Sequence, residues 1–182
     1  MSKVGLFLWL GVVALLAQNP RFPVMDHLTN NETLAAEKFG VSEKEEIRRQ
    51  LERGSFDLPD SWDREVRVRR ISLGTVDGLV IQGVKLLCGA TGNCQTWVFR
   101  RSKGHWITLF AGQAPLASGF GFDEPASHGL KRLIITSNFS AETAEYRVHE
   151  FDGQFYRTAK CYQASESGAD GAQQVLKQMP CQ

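Results

Sequence analysis

The apolar positions of this chain change period once, near Gly54. Upstream, in "VSEKEEIRRQLERG", Ile47 and Leu51 stand one helical turn apart among charged residues, the narrow seam of a helix on a domain surface. Ser42 is the predicted N-cap, Glu45 three residues on completes a capping box, and Gly54 takes the C-terminal cap position. Glu45 and Arg49 are spaced to pair, and the charge run reads as a solvated helix face.

Downstream, "REVRVRRISL", "GLVIQGVKLL", "QTWVFRR", "HWITLFA", "LKRLIITS", "AEYRVHEF" and "QFYRTAKCY" are rich in β-branched and aromatic residues and are separated by Gly, Asp, Asn or Pro. They predict a mainly antiparallel β domain. In the first, Val66 and Val68 alternate, then Ile71 and Leu73 resume in the opposite phase, which predicts a β-bulge at Arg69 and Arg70. Two hairpins match when Gly104 is set on Gly153: Trp97 falls on Tyr146, Phe99 on Val148, Trp106 on Phe155 and Ile107 on Tyr156. Each is an aromatic strand, a polar turn with Gly where positive φ is needed, and a second aromatic strand. The fold class expected is mainly β: antiparallel sheets packed together, as a sandwich or as propeller-like hairpin units, with one N-terminal surface helix. Internal duplication and shared hairpin chemistry both account for the match.

The N-terminus carries a different pattern. Lys3 precedes an uncharged apolar run from Val4 to Ala17, followed by "QNPRFP", the layout of a secretory signal peptide cleaved after Ala17. The run is shorter than the roughly 20 apolar residues of a spanning helix; left uncleaved, it would be a membrane anchor. No cysteine lies near the cleavage point, which argues against a lipoprotein. The expected organisation is a signal peptide (1–17), a helical N-terminal extension (18–57), an antiparallel β domain (58–163) and a C-terminal tail (164–182), in the periplasm or secreted.

Composition narrows the function classes. Of 182 residues, 21 are Lys or Arg and 20 Asp or Glu, for a net charge of +1. That near-balance excludes a dedicated nucleic-acid binder, which needs a dense cationic surface. The four cysteines are Cys88, Cys94, Cys161 and Cys181, an even number that an oxidising compartment would pair. Three pairings exist; Gly89 and Gly92 let the chain bend so that Cys88 and Cys94 meet, which leaves Cys161 and Cys181 to tie the tail to the last strand. Other readings of "LCGATGNCQTWVF" fail on chemistry. A redox dithiol sits two residues apart at a helix start, and here a strand follows. Structural zinc needs clustered ligands, whereas His105, His128 and His149 are scattered. A phosphate loop would open a helix and carry a lysine.

The candidate binding surface is "RRSKGHW": Arg100, Arg101, Lys103, His105 and Trp106 at one hairpin could hold an acidic glycan, a lipid headgroup or a carboxylate-bearing partner. The plainer reading is a solvated turn. In "FDEPASHG", Asp123, Glu124, Ser127 and His128 lie close together, but in sequence within a Pro-Gly loop, unlike a working triad. Asn31 and Asn138 head glycosylation tripeptides that matter only in a eukaryotic source.

"LVIQG", "LCGATGNCQTWVFRR", "GFGF", "HGLKRLII" and "YRVHEFDGQFYRTAKCY" together resemble a group of small exported bacterial proteins, acidobacterial ones especially, with no assigned activity. The resemblance covers most of the chain after Gly78. "HGLKRLIITS" with "FDGQFY" is more distantly similar to FG-GAP or VCBS-type propeller repeats, extracellular adhesion modules that often bind calcium. Their Asp-rich calcium loop is missing, and Arg132 stands where the repeat usually carries Asp, so no metal or cofactor is expected. Two functional readings follow. One is an exported non-catalytic β domain that binds a cell-envelope polymer or an extracellular protein. The alternative is a small exported hydrolase with a Cys or Ser nucleophile and His128, which requires that nucleophile within hydrogen-bond reach of a histidine.

Overall fold

The β-branched and aromatic segments do form strands, joined by two more in stretches of weak β character. The computed structural model describes residues 22–23, 25–53, 58–140, 142–167 and 173–181. The expected signal peptide and the Gly54 cap lie outside the described residues. One helix, α1 (Val41–Glu52), precedes strands β1 (Val66–Ser72), β2 (Asp77–Gly83), β3 (Cys94–Ser102), β4 (His105–Ala117), β5 (Gly119–Ser127), β6 (Leu130–Asn138), β7 (Thr143–Phe151), β8 (Tyr156–Ser167) and β9 (Gln173–Met179). They make two antiparallel meanders, β1-β2-β3-β4 and β5-β6-β7-β8-β9. The chain is therefore mainly β. Among the described residues no helix is long and apolar enough to cross a membrane.

The meanders pack face to face over Leu73, Val80, Val98 and Leu109 of the first part of the chain and Phe120, Leu133, Ile135 and Phe151 of the second. The first sheet is also covered on its other face, where Val66, Val68, Leu79, Ile81, Trp97, Phe99 and Trp106 pack against Leu34, Phe39, Ile47 and Leu51. A strand between two layers is apolar on both faces, so β2 is buried from Gly78 to Gly83. The same geometry removes the expected bulge at Arg69 and Arg70. Pairing of β1 with β2 runs unbroken from Val66↔Gly83 to Ser72↔Asp77. Val66 and Val68 face the helix layer while Ile71 and Leu73 pack between the sheets, and the change of phase is a change of layer.

Helix α1 starts two residues earlier than its sequence suggests. Gly40 is the N-cap, without a side-chain cap, and Ser42 is already helical, so the Ser42–Glu45 box does not form. Ile47 and Leu51 are its fully buried seam. On the outer face Arg48 pairs with Glu52, and Arg49 Nε donates to the Glu45 carbonyl rather than its carboxylate.

The two matched hairpins agree in register, but with an offset of one from the sequence match. Arg101↔Trp106, Arg100↔Ile107, Phe99↔Thr108 and Val98↔Phe110 in β3–β4 recur fifty residues later as Phe151↔Tyr156, Glu150↔Arg157, His149↔Thr158 and Val148↔Lys160 in β7–β8. The bulge that skips Leu109 recurs as one that skips Ala159. Trp106 thus stands where Tyr156 stands, not Phe155. Both turns have two residues, but Lys103 (φ 50) and Gly104 (φ 84) are both left-handed, the type I′ pattern, whereas Gly153 (φ 102) takes the first position alone, the type II′ pattern. Aligning the glycines therefore slips the strands by one.

The N-terminal segment is a strap across two sheet edges. Asp26 and Phe120 exchange backbone hydrogen bonds on β5, and Thr33 bridges Arg67 on β1, where Val68 N–H donates to the Glu32 carbonyl at 2.7 Å. Arg69 bonds both Asp26 and Glu32, and Arg70 meets Glu37 at 2.8 Å. The Arg69 guanidinium, helped by Thr29, holds the Glu32 carboxyl down to about 2 from 4.5. On β7, burial and the nearby Arg147 hold His149 down to about 4 from 6.5. Both groups bind fewer protons folded than unfolded, so each withdraws stability as pH falls, His149 between 6.5 and 4 and Glu32 between 4.5 and 2. Denaturant melts across this range are expected to lose stability in both windows. His149→Gln is expected to flatten the upper window alone and Glu32→Gln the lower; an unchanged profile in either variant would refute its assignment.

The expected tail boundary at 163 does not hold. Strand β8 continues to Ser167, and β9 pairs with it from Cys161↔Met179 to Ser167↔Gln173. A disulfide from Cys161 to Cys181 fastens the chain just beyond β9. The glutamine-rich β9 sequence has little β preference of its own, and its pairing is a tertiary effect.

Candidate functional site

The β3–β4 turn delivers the basic and aromatic residues of the candidate surface to two different places. Side chains alternate along a strand, so Arg101 and Trp106, a cross-strand pair, share the helix side of the sheet. Arg100 is on the other side, with its guanidinium 5.6 Å from the centre of the Phe151 ring. Trp106 is 1% exposed. Its indole N–H donates to Glu43 at 2.8 Å, and its backbone N–H donates to Glu46 at 3.3 Å. Glu46 also lies 3.1 Å from His105 Nδ1, Glu43 lies 3.4 Å from Arg101, and Thr108 donates to Gln50.

The result is a groove of about 410 Å³ between the start of α1 and the β3–β4 turn, lined by Ser42, Glu43, Glu46, Arg49, Arg101 and His105. Lys103 stands exposed at the tip, and His105 keeps 75% of its side chain in solvent. The groove is not a bare basic patch: two carboxylates face two guanidiniums and an imidazole. Such half-exposed pairs contribute only about 0.2–1 kcal/mol each. They orient the groups more than they stabilise the fold, and they leave charge-assisted bonds available to a ligand carrying both signs. The sequence reading missed Glu43 and Glu46. Their signal was periodicity, since Glu43, Glu46, Ile47, Gln50 and Leu51 follow the spacing of one helix face. Only the apolar members of that face were legible as inward.

"CGATGNC" is a staple. Cys88 and Cys94 are disulfide-bonded across an isolated antiparallel bridge. Gly92 takes a positive φ of 75 and donates to the Gly89 carbonyl, while Gly89 N–H donates to the Asn93 carbonyl at 2.7 Å. Asn93 then clamps the second sheet: its amide donates to the Asn138 carbonyl and its oxygen accepts the Asn138 N–H, both at 2.8 Å. All four cysteines are bonded and none is free, as an oxidising compartment permits.

The expected "FDEPASHG" loop belongs to β5 and its turn, with a register shift between Asp123 and Ser127. Arg132, the residue that departs from the calcium repeat, forms a bidentate pair with Asp123 at 2.9 and 3.0 Å. Ser127 Oγ donates to the Phe151 carbonyl at 3.0 Å, and His128 occupies the turn with φ 48, its ring edge-on to Phe151. Asp123 and Ser127 are thus engaged elsewhere, and among the described residues no side chain is hydrogen-bonded to His128. The other histidine beside a hydroxyl is His149, 3.3 Å from Thr158 Oγ1. It is 3% exposed and packed against Phe110. Among the described residues no three His, Cys, Asp or Glu side chains gather as metal ligands.

No family model matches this chain, and no curated protein and no solved structure is significantly similar to it.

Proposed function

We propose that this chain is an exported, non-catalytic β module, periplasmic or secreted, that binds a cell-envelope or extracellular macromolecule at the β3–β4 turn. The observation that carries the reading is the groove itself: Trp106, seated under α1 through Glu43 and Glu46, fixes a turn from which Arg101, Lys103 and His105 reach solvent. A rigid turn with free polar ends loses little conformational entropy on binding. The bonded cysteines support export, and the balanced charge favours a macromolecule of mixed or weak charge over a polyanion.

The alternative of a small hydrolase with His128 gains no such support. Its cysteine form lacks a free thiol, and its serine form finds Ser127 bonded to a backbone carbonyl. Ser42 lines the groove, but it makes no hydrogen bond with His105.

Co-sedimentation with purified peptidoglycan sacculi and with intact cells tests the proposal. Lys103→Glu combined with His105→Glu should weaken retention by about tenfold or more, equivalent to about 1.4 kcal/mol, with the melting temperature nearly unchanged because both side chains are exposed. Equal retention of the variant and the parent, or no retention of either, would overturn it.

A further inference from the structure

The groove at the β3–β4 turn is not the only concavity. A cleft of about 340 Å³ opens where the strap crosses the ends of β6, β7 and β8, lined by residues that include His27, Asn138, Glu142, Tyr146 and Ser165. Its volume is within the range of small-molecule sites, about 300–1,000 Å³. The floor is already satisfied: Ser118 Oγ donates to the Thr136 carbonyl, and Thr136 Oγ1 donates to the Gly119 carbonyl, each at 3.2 Å. At the rim the polar side chains of His27, Asn138, Glu142 and Ser165 have no partner among the described residues. They offer an imidazole, a carboxamide, a carboxylate and a hydroxyl, a set that both donates and accepts.

Among the described residues no Lys or Arg lines this cleft, and its ionisable members apart from Tyr146 are His27 and Glu142. A phosphate, sulfate or uronate would meet the Glu142 carboxylate with no fixed cation among the described lining residues to compensate. A neutral ring bearing vicinal hydroxyls would instead give two donors to the Glu142 carboxylate and exchange bonds with the Asn138 amide. Met25, Ala144, Tyr146 and Ala164, which line the same cleft, supply apolar surface for the C–H face of such a ring. The rim is also held in place. Both backbone groups of Asn138 are clamped by Asn93 of the disulfide-closed loop, so the site forms before its ligand arrives.

We propose that this cleft is a binding site for a neutral saccharide, distinct from the β3–β4 groove and independent of the function proposed for it. The test is an NMR amide-shift titration of the full chain with two neutral probes, maltotriose and triacetylchitotriose, and one anionic probe, a heparin tetrasaccharide. At least one neutral probe should shift the amides around residues 27, 138–146 and 165 with millimolar affinity, which corresponds to about 4 kcal/mol; which of the two does so tells a plain hexose from an N-acetylated one. Asn138→Ala and Glu142→Gln should each weaken it by about fivefold, the loss of one hydrogen bond, and Lys103→Glu should leave it unchanged. The proposal fails if neither neutral probe moves these amides, if the heparin fragment binds there more tightly, or if the two rim variants bind like the parent.

Discussion

Trp106→Ala is expected to destabilise the protein by about 3–5 kcal/mol, the usual range for truncating a buried Trp, and to lower its melting temperature by about 6–20 °C for a chain of this size. The residue is 1% exposed and belongs to the cluster that holds Ile47 and Leu51 of α1. Phe39 meets its ring edge-on at 6.4 Å, and the Arg70 and Arg101 guanidiniums lie over it at 5.8 and 5.4 Å. Truncation leaves a void and strips Glu43 of its indole donor. Trp106→Phe keeps most of the buried area and should cost about 1–2 kcal/mol, chiefly the lost hydrogen bond. Hydrogen exchange would separate a local from a global effect: the α1 amides of Trp106→Ala should lose protection before those of β6 and β7. A melting point within about 2 °C of the parent would mean that α1 does not depend on this seat.

Replacing both Cys161 and Cys181 by Ser should have the next largest effect. Their bond closes a separation of 20 residues, for which the chain-entropy relation gives about 3 kcal/mol. Cys161 is fully buried, so the polar replacement adds to the loss. The consequence should be local as well, because β9 is attached to the rest through β8 and this bond. Limited proteolysis of the variant should cut within residues 173–181, while the parent resists there. The corresponding Cys88/Cys94 variant, with a separation of 6, should lose only about 2 kcal/mol. If the C-terminal strand stayed resistant without its disulfide, the fastening role given to that bond would be wrong.

The sequence made strands legible where side chains themselves favour a pleated, half-buried surface, as in "LVIQG" and "RLIIT". It hid β5 and β9, because Gly, Glu, Pro and Gln give no such preference and these strands exist through pairing with β6 and β8. The apparent bulge at Arg69 and Arg70 failed for a related reason: period two reports which face is apolar, and says nothing of a sheet with a layer on each side. The binding hairpin was found by composition, yet the fate of its members depended on α1. Trp106 looked like an exposed contact because nothing local says that Glu43 and Glu46 will reach it across about sixty residues of chain. The disulfide partners were favoured by loop chemistry in a sequence that allows three pairings, and the fold closes that pair of bonds.

The N-terminal strap also sets an order of events. Asp26 completes its bridge only with Phe120, and Thr33 only with Arg67, so this N-terminal strap waits for partners made much later. Contacts of such long sequence separation form slowly. The edge of the sandwich cannot be sealed until more than half of the polypeptide has been synthesised, and the chain stays unfinished, and therefore threadable, for that whole interval.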